Sequence, residues 1–160
     1  MRRFRWLVAG LVALCAAGAA LAASSDLDPT FSGDGRFLSG PQLGGDSAND
    51  LLVQPDGTLA LVGSFGFQND WLFSLVSGDG QFELSTVRVD LGGVDEARAL
   101  ARQTDGKLVG VGTAGSRLAV VRMTTPTLEL DPSFDGDGKA LLPTTLSNGR
   151  DVLIQPDGKI

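Results

Sequence analysis

One nine-residue pattern occurs three times in the chain, and this repetition limits the fold more than any other feature of the sequence. The copies lie at 51–59, 100–108 and 152–160, and each places a glutamine before a turn sequence that contains Asp-Gly. The equivalent residues are Gln54, Asp56 and Gly57; Gln103, Asp105 and Gly106; and Gln155, Asp157 and Gly158. The glutamines are 49 and then 52 residues apart. A period of this length predicts a repeat architecture in which each copy is one supersecondary unit.

A second pattern, Leu-Asp-Pro followed by Ser or Thr and then Phe, occurs twice with a similar offset from the first. It covers 27–35 and 130–138, and the two starts are 103 residues apart, which is two periods. The equivalent residues are Asp28, Phe31 and Gly35 in one copy and Asp131, Phe134 and Gly138 in the other. Both patterns therefore belong to one unit of about fifty residues, in which we interpret the two phenylalanines as packing anchors between units.

Each Asp-Gly pair has the chemistry of a tight β-hairpin turn. Proline fixes φ at the first corner, aspartate suits the second, and glycine accepts the left-handed conformation that returns the chain. A second hairpin is predicted within the unit, with a strand at 71–76, a turn at 77–80 and a return strand from 81. Residues 118–122 replace the first of these strands in the next copy. Two hairpins give four antiparallel strands per unit, the strand number of a β-propeller blade.

The predicted fold is therefore all-β, built from antiparallel four-stranded units of the β-propeller type. The units are 27–49 (partial, contributing one outer strand), 50–96, 97–149 and 150–160 (truncated). A closed propeller needs at least about four blades, and this chain supplies about two with partial flanking strands. We expect a fragment of a longer repeat protein, or a chain that pairs open sheet edges such as Val152-Leu153-Ile154 with another copy.

With Leu-Asp-Pro-Ser/Thr-Phe-x-Gly-Asp-Gly and Gln-Pro-Asp-Gly-Lys in this order, the chain resembles the bacterial delta-60 repeat family from Leu27 to Ile160. The resemblance implies a β-propeller repeat of exported proteins, a scaffold on the cell envelope or outside the cell, with no catalytic residues to carry over. The middle unit departs from the family pattern: Gln81-Phe82-Glu83 stands where Leu-Asp would begin, and Thr104 replaces a turn proline.

Residues 1–23 have the pattern of a cleaved export signal. Three arginines within the first five residues precede an apolar run at 7–21, and the small residues that signal peptidase accepts follow at its end. We predict cleavage after Ala22 or Ala23, a mature domain of 24–160, and a secreted, periplasmic or cell-envelope location. A retained membrane anchor fits less well because the run is shorter than roughly 20 residues. A lipidated Cys15 fits less well because apolar residues follow it.

Composition excludes several classes of function. Histidine is absent and Cys15 is the only cysteine, which excludes Ser/His/Asp and Cys/His nucleophile systems and every histidine or thiolate metal site. The net charge is −6, and the predicted mature chain, with 10 basic against 19 acidic residues, carries −9. Nucleic acid and anionic lipid are poor partners for such a chain. We expect no disulfides and no membrane insertion of the mature protein.

Three groups of residues suggest chemistry, but a structural role explains each of them better. The carboxylates at 131–137 suggest a calcium loop, yet the EF-hand spacing fails after Asp137, and Ser32 replaces Asp135 in the first copy. Trp71 and Phe73 could stack on a sugar, but aromatic residues at alternating strand positions are more often core. The acids available for glycoside hydrolysis are Glu83, Asp95, Glu96 and Glu129, for which solvated loop positions are the default.

The sequence thus predicts a noncatalytic exported repeat module that acts as a scaffold or binds a surface through loops at the blade ends. It predicts no cofactor and does not identify the ligand or surface partner. Self-association through open sheet edges is a further candidate interaction. The alternative is a calcium-dependent carbohydrate-binding or glycan-acting propeller whose site is completed by blades outside this chain.

Overall fold

The computed structural model describes residues 26–38, 45–66, 70–143 and 148–160, which contain eight β-strands and no helix. The strands are β1 (Ser47–Val53), β2 (Leu59–Phe65), β3 (Asp70–Val76), β4 (Glu83–Val89), β5 (Asp95–Arg102), β6 (Leu108–Ala114), β7 (Arg117–Met123) and β8 (Lys139–Leu141). In this part of the chain, no helix has the length and hydropathy of a membrane span. The predicted export signal at 1–23 lies outside the described residues.

The strands form two antiparallel sheets of four, each in simple chain order. Sheet 1 is β1-β2-β3-β4 and sheet 2 is β5-β6-β7-β8, and the two do not close into a barrel. The predicted fold class is confirmed: the protein is all-β, with four-stranded antiparallel units in an incomplete arrangement of the β-propeller type. The predicted unit boundary between 96 and 97 falls inside β5, because that strand begins eight residues before its glutamine. The sheets are joined at 90–94 instead.

The turns predicted at the Asp-Gly pairs are present in all three copies. Gln54 N donates to Thr58 O at 2.8 Å and Gly57 N donates to Gln54 O at 2.9 Å, and equivalent bonds form at 103–107 and 155–159. Gly57 and Gly106 have φ values of +85° and +94°, a region that favours glycine. The first two turns join β1 to β2 and β5 to β6. The third forms although 148–160 contains no strand, so the turn depends only on local sequence.

The Leu-Asp-Pro segments are turns. The outer strand expected from the partial unit 27–49 is not found at 26–38, and residues 39–44 of that unit lie outside the described residues. Asp28 Oδ1 accepts a hydrogen bond from Thr30 N at 2.9 Å, and Asp131 Oδ1 accepts one from Ser133 N at 3.0 Å. A carboxylate bonded to the backbone two residues ahead closes a turn and removes that amide from sheet pairing. In sheet 2 this loop precedes the short β8.

The middle unit forms its fourth strand without a Leu-Asp-Pro segment. Strand β4 has seven residues, whereas β8 has three. The turn between β3 and β4 is closed by Ser77, whose N donates to Phe82 O at 2.9 Å and whose Oγ accepts from Phe82 N at 3.0 Å. The departure from the family pattern at 81–83 therefore changes the turn and leaves the outer strand in place.

The main core lies between the two sheets. Trp71 and Phe73 on β3 are 0% exposed and belong to a cluster with the small and aliphatic residues of sheet 2. Trp71 Nε1 donates to Thr113 O at 2.9 Å across the sheets. A Cβ at Gly110 on β6 would lie 2.6 Å from Phe73 Cζ, so this glycine permits the close approach of the ring. The core interpretation of Trp71 and Phe73 is confirmed, and neither ring is accessible to a sugar.

Candidate functional site

The aspartates of the three Asp-Gly turns hold the turns in shape. Asp56, Asp105 and Asp157 each accept a hydrogen bond from the backbone N two residues later, at 3.0 to 3.2 Å. That backbone bond is the main cause that lowers the pKa of Asp56. Side-chain hydrogen bonds from Lys107 and Lys159 are the main cause that lowers the pKa values of Asp105 and Asp157. All three carboxylates are therefore engaged locally.

The repeated glutamines occupy different environments. Gln54 is buried, whereas Gln155 is exposed. Gln103 Nε2 donates to Gly158 O at 3.3 Å, which links the turn of one copy to the turn of the next. Gln103 therefore connects the second copy to the third.

Asp131 is the most heavily engaged carboxylate of the Leu-Asp-Pro segments. It is buried and accepts hydrogen bonds from Ser133 Oγ and Arg122 Nε, both at 2.7 Å, while Lys107 Nζ lies 3.3 Å away. These groups, Ser133 foremost, hold the pKa of Asp131 well below its usual range. The equivalent Asp28 is exposed and bonds to Thr30 within its own turn. Since protein donors occupy Asp131, the calcium-loop interpretation gains no support from the described residues.

The repeated phenylalanines differ in what they contact. The ring of Phe31 lies against Gly80 in the β3–β4 turn, where a Cβ would come within 2.6 Å of it, and Ser32 N donates to Asp79 O at 2.7 Å. Phe31 therefore anchors the N-terminal segment to sheet 1. The ring of Phe134 lies under the guanidinium of Arg122 on β7, 4.8 Å from its centroid, so it contacts its own sheet.

Three carboxylates meet near the connection between the sheets. One oxygen from each of Asp70, Asp90 and Asp95 lies within 4.8 Å of the others. Asp95 is 0% exposed, and burial raises its pKa, with smaller contributions from Asp90 and Asp70. Arg88 forms an ion pair with Asp70 and thereby compensates part of this negative charge.

The repeat explains Asp95 as a structural residue. Asp95 Oδ1 accepts a hydrogen bond from Gly115 N at 3.2 Å, and Asp46, its equivalent in the first copy, accepts one from Gly66 N at 2.8 Å. Each aspartate fastens the start of the first strand in its unit to the turn after the second strand. The sequence analysis missed this pair, although an aspartate eight residues before the glutamine is visible in both copies. This recurrence identifies a fold determinant, and we assign no cation site here.

The acids considered for glycoside hydrolysis have different surroundings. Asp95 lies in the carboxylate group described above. Glu96 forms an ion pair with Arg98, and Glu83 accepts a hydrogen bond from the Thr86 hydroxyl.

A groove of about 570 Å³ lies on the outer face of sheet 1, the face turned away from sheet 2. Leucine and valine side chains of β1, β2 and β3 form most of it, and Phe31 and Phe37 line it from the N-terminal segment. Leu51, at one side, is 50% exposed. The groove is therefore an apolar surface that no sheet of the described chain covers.

The floor of this groove corresponds, position by position, to the face of sheet 2 that is buried against sheet 1. Three directly paired positions of β2 and β3, Leu59 with Val76, Leu61 with Ser74 and Gly63 with Leu72, form part of the floor. Their equivalents in β6 and β7 are Leu108 with Met123, Gly110 with Val121 and Gly112 with Ala119. All six of the latter are buried. In sheet 1 the equivalent positions are less completely covered: Gly63, Ser74 and Val76 are buried, whereas Leu59, Leu61 and Leu72 are partly exposed.

Comparison of the chain with protein-family models, with curated proteins and with solved structures found no match. The resemblance to the delta-60 repeat family therefore stays a prediction from the motifs.

Proposed function

We propose that this protein is a noncatalytic exported repeat module of the β-propeller type, which acts as a scaffold through sheet-to-sheet association. The single observation that carries the proposal is the open apolar face of sheet 1. Its equivalent in sheet 2 is covered by the opposite face of sheet 1, which favours a further sheet as the occupant of the open face. Apolar area of this kind drives association when it is removed from water.

The occupant we propose is a second copy of this chain, docked by the same face. The far side of sheet 2 is already partly covered by the last segment: Gly149 N donates to Gly112 O at 3.2 Å, and Val109 and Val111 are buried. Sheet 1 therefore presents the more open of the two outer faces. A face that pairs with its own copy gives an isologous dimer with two-fold symmetry, the commonest closed assembly.

The test is the molar mass of the exported, purified protein, measured by light scattering after size-exclusion chromatography. We expect a dimer for the wild type and a monomer for Leu51→Glu, because the substitution places a charge in the apolar interface while Leu51 is already half exposed in the monomer. Val94→Glu is the matched control: Val94 is 63% exposed, lies outside the groove and carries the same change in charge.

The dimer of Val94→Glu should be as stable as that of the wild type, and circular dichroism should show that all three proteins keep their β-structure. A wild type that is monomeric at every concentration measured would overturn the association. Equal dissociation of both variants would overturn its assignment to this face.

A further inference from the structure

We propose that a small polar cleft, lined by residues from all three repeat copies, binds a small oxyanion, either a carboxylate or a phosphate group. The cleft has a volume of about 260 Å³, and its lining residues are Asn49, Glu96, Arg98 and Arg150. It is separate from the apolar groove, so the inference does not depend on dimer formation.

Three of the residues that line this cleft occupy equivalent positions in the three repeat copies. Asn49, Arg98 and Arg150 each stand five residues before the glutamine of their copy. In β1 and β5 this is the residue at which the pairing register shifts, between Ala48 and Asp50 and between Ala97 and Ala99. A bulge residue leaves the regular alternation of its strand and re-aims its side chain. The bulges of β1 and β5 thus direct Asn49 and Arg98 into a space that Arg150 also lines.

Hydrogen bonds between successive copies hold this space in shape. Asn49 Nδ2 donates to Ala97 O at 2.6 Å, and Leu100 N donates to Asp50 Oδ2 at 2.7 Å, so β1 and β5 are joined on both sides of the bulge. Asn49 Oδ1 remains as an acceptor toward a ligand hydroxyl. The scaffold of the cleft is therefore fixed by backbone and side-chain bonds before any ligand enters.

The charges of the cleft favour an anion. Arg98 forms an ion pair with Glu96, while Arg150 has no ion pair with any residue of the described chain. Two arginines and one glutamate give the lining a net positive charge, although the whole chain carries −6. Guanidinium groups bind carboxylate and phosphate through paired, charge-assisted hydrogen bonds.

The Nε atom of Arg98 supplies an independent sign of a missing partner. It is shielded from solvent and has no hydrogen-bond partner among the described residues. A buried donor without an acceptor is costly, and native structures seldom keep one without a reason. An oxyanion bound to the exposed part of the Arg98 guanidinium would lie beside this Nε–H group and face Arg150.

The test is an NMR titration of the exported protein with inorganic phosphate and, separately, with glucuronate. The arginine Nε–H and asparagine side-chain resonances report directly on Arg98 and Asn49. We expect saturable shifts of both for at least one anion, and the two arms distinguish a phosphate from a carboxylate ligand. Absence of a saturable shift at Arg98 Nε with both anions would overturn the proposal.

Variants separate this site from general charge effects. Arg150→Gln should weaken binding about tenfold or more, the loss expected for one charge-assisted bond, whereas Arg117→Gln, which removes an exposed charge outside the cleft, should change it less than twofold. Glu96→Gln should strengthen binding severalfold by releasing Arg98, and Glu129→Gln is its charge-matched control. If the two arginine variants, or the two glutamate variants, changed the affinity equally, anion binding would depend only on the net charge of the protein. The assignment of the anion to this cleft would then be wrong.

Discussion

The packing of sheet 1 on sheet 2 depends on the absence of one methyl group, and Gly110→Ala tests this. The new Cβ would lie 2.6 Å from Phe73 Cζ, 3.1 Å from Phe73 Cε1 and 3.3 Å from Trp71 Cζ3. Carbon atoms in contact are normally about 3.5 to 4.0 Å apart, so the Phe73 ring must retreat by about 1 Å. Both rings are 0% exposed, so the displacement falls within the packed core.

The expected cost follows from two opposing effects. Overpacking of a well-packed core costs about 1 to 3 kcal/mol. Replacing glycine by alanine at an ordinary φ restricts the unfolded chain and returns about 0.4 to 1 kcal/mol. We therefore expect Gly110→Ala to lower the free energy of unfolding by about 1 to 2 kcal/mol. Urea denaturation followed by tryptophan fluorescence measures this change as a shift in midpoint at constant slope.

A double-mutant cycle with Phe73→Leu is the control that identifies the cause. Phe73→Leu alone destabilises the core by removing ring atoms, and it also removes the atoms that the new methyl group would meet. In that background Gly110→Ala should cost less than half of its wild-type value, or stabilise the protein. Strictly additive effects would refute the reasoning, because residues in direct contact should show a coupling of at least about 0.5 kcal/mol.

Three further predictions address acid stability, export and calcium. Because the folded-state pKa of Asp131 is depressed, its contribution to stability is present above the ordinary pKa that this carboxyl has in the unfolded chain, and it is lost as pH falls toward the folded-state pKa. Acid unfolding should therefore be less steep in Asp131→Asn than in the wild type, while the exposed Asp135→Asn should follow the wild type. In a host that exports the chain, mass spectrometry should find a mature N-terminus at Ala23 or Ser24, and an unprocessed chain would contradict the export signal. Calcium should leave the melting temperature unchanged, since protein donors occupy Asp131, and a saturable rise would favour the metal-dependent alternative.

The elements that the sequence predicted correctly are those with local causes. Each Asp-Gly turn is closed by backbone hydrogen bonds within five residues, such as the bond from Gln54 to Thr58. The same residue types therefore form the same turn at 155–159, where no strands pair. The turns of the Leu-Asp-Pro segments also have a local cause, which repetition alone does not reveal. Repetition predicts that the two segments share a structure, but it does not specify which one. The hydrogen bonds that the carboxylates of Asp28 and Asp131 accept make that structure a turn.

The open groove and the polar cleft could not be predicted because they depend on which face of a strand is inward. In β3 both alternating sets are largely apolar: Trp71 and Phe73 on one face, and Leu72 and Val76 on the other. Periodicity cannot choose between such faces. The bulge at Asn49 and Arg98 is equally hidden, since it arises from a register shift between paired strands and carries no turn residue of its own.

Comparing equivalent positions of the two sheets gives information about packing that the residue pattern within a single strand does not give. The face of sheet 2 that meets Trp71 and Phe73 has Gly110 and Ala119 where the open face of sheet 1 has Leu61 and Leu72. Small residues are needed at these two positions because the aromatic rings of sheet 1 must fit against them. The trend is confined to the ring contacts, since Val121 and Met123 of sheet 2 are larger than Ser74 and Val76, their equivalents in sheet 1. Differences between copies therefore indicate which positions receive a ring from the neighbouring sheet.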